Sequence, residues 1–231
     1  MVRNKQRISC LAAASFLVVI NLIVFLFIER NPELFESMAL RSDSLSNPAI
    51  LLGYMFAHVS FLHLCINSLF LIAAGWLIGS SLHIIRFLIC YIAGGLISAL
   101  LFCILTNSIS FPDITIAGSS AATCAVIGLA CIVSPKKCSL DLFFFRFRIS
   151  RWAILLGFLL LVSSGLSGDN LMGLWLHMLG LCIGVLMGIA YRRKICKITK
   201  NPIVAKIETS GFNSLSSAER FMFSTQELKK R

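Results

Sequence analysis

Charge is scarce in this chain. Only 13% of its 231 residues are charged, and ten of them are acidic. Soluble domains carry about a quarter of their residues as charges, so that class is excluded. There are five prolines, which leaves long stretches without a helix breaker. The nine cysteines include no Cys-x-x-Cys pair. Almost all fall in apolar runs or on the side read below as cytoplasmic. They read as small buried apolar residues rather than bridges or metal ligands. No internal repeat and no low-complexity tract is visible. No basic groove interleaved with aromatics is present, so nucleic acid is not an expected partner. No carboxylate lies inside an apolar run, so an acid-dependent metal site or ion-coupled transporter lacks its usual parts.

What the chain has is hydrophobicity: 58% of residues, with a mean hydropathy of +0.88. Apolar runs near the ~20 residues needed to cross hydrocarbon recur along it. Spans are expected at about 8–28, 52–80, 84–106, 118–134, 152–167 and 170–191. The second is long and begins with polar residues, which predicts a re-entry or a tilt. The first apolar run, Ile8 to Ile28, exceeds a secretory h-region and ends without a small-x-small cleavage site, so it reads as a retained span.

Basic residues near span ends favour the cytoplasmic side. With both termini inside, Arg3, Lys5, Arg7, Arg86, Lys136, Lys137, Arg146, Arg148 and Arg151 all lie inside, with the basic tail. Outside fall Arg30 and Arg41 against Glu29, Glu33, Glu36, Asp43, Asp113 and Asp169. The net charge of +11 is therefore an orientation signal. A compact chain without a long targeting segment points to a bacterial cytoplasmic (inner) membrane. The expected organisation is a membrane domain over 1–192 and a basic cytoplasmic tail over 193–231. Residues 29–49 form a polar outer loop bracketed by Pro32 and Pro48, placed at the interface. Residues 107–117 form a second outer loop. Residues 135–151 read as an inner loop, with Phe at the headgroup boundary and Arg toward water.

Three fragments within the spans carry polar groups. Such groups are costly at membrane depth and usually functional. The first is Gly118-Ser119-Ser120. A serine in a membrane helix ordinarily bonds a carbonyl one turn back. Here Gly118 and the preceding loop place Ser120 at a helix start, where unpaired N–H groups favour an anion. Ala121, Ala122, Ala125 and Gly128 keep that helix thin. The second fragment holds His177, with no other ionisable group between Asp169 and Arg192. A lone core histidine is the plain alternative. However, Gly173, Gly180, Gly184 and Gly188 share its face at ~3.6 residues per turn, which puts the imidazole on a tight packing seam. An imidazole suits removal of a serine proton near neutral pH. The third fragment is His58…His63…Asn67. His63 and Asn67 are one turn apart and can both donate to an oxyanion; equally, they can glue two helices. His58 reads as structural, tying loop to helix. His83, beside Arg86, reads as interfacial.

Together these residues resemble the rhomboid family of intramembrane serine proteases. His58-x4-His63-x3-Asn67 resembles its second-span motif. Gly118-x-Ser120, with Gly128 eight residues on, resembles its nucleophile motif. His177-x2-Gly180-x3-Gly184 resembles its base motif. Gly94-Gly95 and the Phe-rich inner loop also fit, and the resemblance runs from about residue 8 to 192. It implies an all-α, six-transmembrane-helix bundle with a water-filled cavity open to the outer side. It implies a Ser120–His177 dyad with no third carboxylate, metal or cofactor. His63, Asn67 and the Ser120 backbone N–H would hold the oxyanion, and His58, Gly118, Gly128, Gly180 and Gly184 would give structural support. Substrates would be single- or multi-pass membrane proteins with a helix that unwinds near the outer face.

The chain departs from the family pattern at several points. Ala121 replaces the usual glycine after the serine, and Cys124 replaces an aromatic ring that often stacks on the histidine. The first outer loop has no Trp-Arg pair, and no glutamate follows Gly75. A catalytically inactive relative that binds transmembrane helices, and a small polytopic transporter, are the alternatives.

Overall fold

The computed structural model describes residues 2–79, 81–109, 115–134, 137–142, 145–150, 154–156, 171–199 and 215–217. The elements are α1 (Val2–Arg30), α2 (Pro32–Met38), a 3-10 turn (Ser42–Ser46) and α3 (Ile50–Gly53). After these come α4 (Phe61–Ile78), α5 (Ile84–Ile109), α6 (Ser120–Val133), a hairpin of β1 (Lys137–Leu142) and β2 (Phe145–Ser150), and α7 (Leu171–Thr199). The all-α polytopic bundle holds, with one short hairpin added. Contacts divide the chain into two units, Met1–Gly188 and Ile189–Arg231.

Among the described residues, four helical stretches are long and apolar enough to cross a membrane. They are Ile8–Arg30, Phe61–Ile78, Ile84–Ser108 and Gly173–Arg193. Each matches an expected span to within a few residues, except that the second breaks in two. Residues 50–53 form α3, a turn follows, and α4 starts only at Phe61. Ser60 sets that start. Its hydroxyl accepts a hydrogen bond from the His63 N–H at 3.2 Å, a standard N-cap. The expected fifth span, 152–167, lies outside the described residues apart from the helical fragment 154–156.

α6 is the centre of the bundle. It has 14 residues, and every one from Ser120 to Cys131 is buried. At ~1.5 Å per residue it is only about 21 Å long. It packs against α4 and α5. The outer helices are built the other way round. Phe16, Ile23, Leu26 and Phe27 on α1, Ile85, Ile89 and Ile104 on α5, and Trp175 and Leu186 on α7 all face outward. Asn21, Asn67, Ser98, Thr106 and Thr123 are buried. Apolar residues outside and polar ones inside is the arrangement lipid demands.

Two segments read as loops carry structure. In 29–49, Pro32 sits in the first turn of α2, where its missing N–H costs nothing. Leu34, Phe35 and Met38 share one side of α2 and pack on Ile28, Ala57 and Ala117, while Glu33 and Glu36 stay exposed. The segment 135–151 contains the β1–β2 hairpin, paired antiparallel with Leu140 opposite Phe147 and Asp141 opposite Arg146. The Phe/Arg alternation from 145 to 148 has the period of two that a strand requires.

Candidate active site

Ser120 is the first residue of α6, with Ser119 at the N-cap. Its own N–H is thus among the first four of the helix, which have no partner one turn back. Three backbone links fix the approach to it. Leu40 and Ile116 form an isolated antiparallel bridge, with N···O distances of 2.8 and 2.9 Å, tying the segment 29–49 to this one. The Gly118 N–H donates to the Tyr54 carbonyl at 2.9 Å. The Tyr54 hydroxyl in turn donates to the Gly95 carbonyl, also at 2.9 Å.

Gly118 is required where it stands. Its φ of +129° lies in the region side chains rarely adopt. A Cβ there would also lie 2.7 Å from Cε1 and 3.1 Å from Nε2 of His63. The His63 ring therefore packs directly on the segment that leads to Ser120.

His177 arrives from α7. Its Nε2 and the Ser120 Oγ are 2.7 Å apart. What brings them together is contact between backbones. A Cβ on Gly180 would strike the Ala121 carbonyl, and one on Gly184 would strike the Ala125 carbonyl. On the other helix, a Cβ on Gly128 would strike the Leu181 carbonyl. Gly94 of α5 meets the Ala125 side chain from another side. Gly188 meets Ile132, whereas Gly173 has nothing within 4 Å among the described residues. Three of the four expected glycines thus form the seam, and Gly173 does not.

Asn67 is fully buried one turn after His63 and donates from Nδ2 to the His63 carbonyl at 3.1 Å. Nδ2 keeps a second hydrogen. His58 makes a hydrogen bond from each ring nitrogen. Its Nδ1–H donates to the Phe56 carbonyl at 3.1 Å, which leaves Nε2 to accept from the Ser119 hydroxyl at 3.3 Å. The His58 and His63 rings meet edge to face with centroids 5.4 Å apart. Tyr54, Ser60 and Ser119 were not singled out by sequence. Only Ser60, a serine three residues before His63, carried a readable signal, that of an N-cap. No group of three metal-ligating side chains converges among the described residues. None of the seven cysteines whose side chains are described is in a disulfide.

Residues 46–194 match the family model of the rhomboid domain. The chain belongs to the rhomboid family. No curated protein shows significant similarity to it. Rhomboid proteins are generally intramembrane serine proteases, and this one, with its apolar helices, is an integral membrane protein. The match spans all three motif fragments, from His58 to Gly184.

Proposed function

We propose that this rhomboid protein is a serine endopeptidase that cuts transmembrane-protein substrates near the outer membrane face. The observation that carries the proposal is the 2.7 Å contact between Ser120 Oγ and His177 Nε2. It is the contact a nucleophile and its base need. The Ser120 hydroxyl donates to Nε2. On attack, the proton passes to His177 as Oγ bonds the substrate carbonyl carbon. The tetrahedral oxyanion is held by the Ser120 N–H, the His63 ring and the free hydrogen of Asn67 Nδ2. His177 then protonates the departing amine, leaving an acyl-enzyme. Water, deprotonated by the same imidazole, releases the acid product and restores Ser120. The backbone contact of Gly180 and Gly184 with α6 supports this reading, since it sets His177 beside Ser120.

The depth of the reaction follows from α6. At about 21 Å it is shorter than the ~30 Å hydrocarbon core. Taking its Val133 end at the inner boundary puts Ser120 roughly 9 Å below the outer one. A substrate helix must unwind there to expose a carbonyl. The charge distribution supports cytoplasmic termini, with a membrane domain over 1–192 followed by a tail.

The test is labelling of the detergent-purified protein by a fluorophosphonate, beside Ser120→Ala and His177→Ala. Labelling of the wild type that disappears in both variants is expected. A folded wild type that never labels would instead favour the inactive helix-binding reading, for which Ala121 and Cys124 are the residues to revert.

A further inference from the structure

Tyr54 is fully buried at the C-cap of α3, and it bonds at both of its ends. A carbonyl at a helix C-terminus has no acceptor duty within its own helix. The Tyr54 carbonyl is therefore open, and the Gly118 N–H donates to it at 2.9 Å. At the far end of the residue, the phenol hydroxyl donates to the Gly95 carbonyl at 2.9 Å. Gly95 lies inside α5, and a carbonyl oxygen has two lone pairs. The phenol bond thus adds to the helical one without displacing it. Met55, also fully buried, lies over the same glycine, where a Cβ would strike its sulfur. One residue earlier on α5, a Cβ on Gly94 would strike the Ala125 side chain of α6.

These contacts close a triangle. α5 meets α6 through Gly94 and Ala125. It holds the turn at Tyr54 and Met55 through Gly95. That turn holds the head of α6 through Gly118. We infer that Tyr54 is a positioning residue for the nucleophile, carrying the α5–α6 packing to the peptide two residues before Ser120. The inference rests on the serine-protease reading. Glycine has the freest backbone of any residue, so the φ of +129° at Gly118 has to be held from outside. The bond from its N–H does this only while the Tyr54 carbonyl keeps its direction. Pinning the phenol to helix backbone stops the residue from pivoting and keeps that direction. Four residues on, His58 bonds the Ser119 hydroxyl at 3.3 Å. The segment 54–58 thus grips both residues that precede Ser120, and their peptides set the direction of its Oγ and its N–H. Tyr54 acts through Gly118 and not on the reacting atoms.

The experiment measures the fluorophosphonate labelling rate of the full chain in detergent against probe concentration and pH. The variants are Tyr54→Phe, Gly95→Ala, both together, and Phe87→Leu, with Ser120→Ala as the blank. Tyr54→Phe removes a single oxygen and keeps the ring. Gly95→Ala disturbs the same contact from the α5 side by displacing Met55. Phe87→Leu loosens a fully buried position of α5 outside the triangle. The maximal rate is expected to fall about 10-fold in Tyr54→Phe and in Gly95→Ala. The half-saturating probe concentration and the midpoint of the pH profile should stay unchanged, because probe binding and the base are untouched. The double variant is expected to be no slower than the slower single one, since both break one contact. Phe87→Leu is expected to label at the wild-type rate per folded molecule. A wild-type maximal rate in Tyr54→Phe would overturn the inference and leave the protease intact. So would an equal loss in Phe87→Leu, which marks general loosening of the bundle. Should Tyr54→Phe fail to fold, Gly95→Ala decides by the same two criteria. A folded wild type without Ser120-dependent labelling would overturn the protease reading and the role of Tyr54 together.

Discussion

Gly184→Ala puts the proposed chemistry under the most direct test. The added methyl points at α6, where it would touch the Ala125 carbonyl oxygen and lie 2.6 Å from its carbon and 2.8 Å from its Cα. Ordinary contact begins near 3.4 Å. The obstacle is helix backbone, which cannot swing aside as a side chain would. The helices must therefore separate locally by on the order of 1 Å, an overpacking strain of ~1–3 kcal/mol. His177 lies two turns from Gly184 on α7, within reach of that displacement. The Ser120–His177 separation would grow from 2.7 Å beyond hydrogen-bond range. A misplacement of about 1 Å costs roughly 100-fold in rate. Gly173→Ala is the matched control. It makes the same chemical change on the same helix where nothing lies within 4 Å among the described residues. It is expected to leave labelling unchanged and to stabilise the helix by up to ~1 kcal/mol. Fluorophosphonate labelling rates, read beside thermal unfolding, separate site geometry from stability. Gly184→Ala labelling at the wild-type rate would refute the claim that backbone contact aligns the dyad. Equal losses in the two variants would do the same.

Three further outcomes follow from the site. Asn67→Ala and His63→Ala should each lower kcat for a transmembrane substrate by roughly 100- to 1,000-fold with a small change in KM, since oxyanion donors act in the transition state. A rise in KM at constant kcat would move both residues to substrate binding. Gly118→Ala combines a φ of +129° with a Cβ 2.7 Å from His63. It should lose labelling by at least as much as His63→Ala, and retained activity would show that the segment relaxes without disturbing the ring. Ile116→Pro deletes the N–H that donates to the Leu40 carbonyl at 2.9 Å. Slower labelling with an unchanged unfolding midpoint is expected if the outer loop holds the nucleophile segment, and a wild-type rate would remove that loop from the site.

The parts of the site that repeat with a period were legible in the sequence. His63 and Asn67 lie one turn apart, and Gly180 and Gly184 follow His177 at helical spacing, so a helix alone places them. Ser120 at a helix start followed from Gly118 and the loop before it. Gly173 shows the limit of that logic. Periodicity assigns it to the same face, but only the partner helix decides how far along the face contact extends. Ser119 was named only as a neighbour of Ser120 for a related reason. A serine beside Ser120 carries no pattern of its own, and its partner His58 lies 61 positions away in the chain. α2 was missed because its apolar side is only Leu34, Phe35 and Met38. The β1–β2 hairpin was missed although its Phe/Arg alternation was noticed, because the same alternation suits a chain lying along a membrane surface.

In lipid the hydrophobic effect does little to bring one helix to another, so helices associate through close packing of small residues. Here that constraint and the catalytic requirement fall on the same atoms. Ala121 and Ala125 present their carbonyls to Gly180 and Gly184, and Ser120 stands at the end of that seam. This bears on the two departures from the family pattern. Ala121 is fully buried with its backbone carbonyl against Gly180. Cys124 is likewise buried on α6. In the proposed dyad the α6–α7 crossing is set by Gly128, Gly180 and Gly184, where an added Cβ would strike backbone. Substitutions along that seam should therefore affect folding and chemistry together.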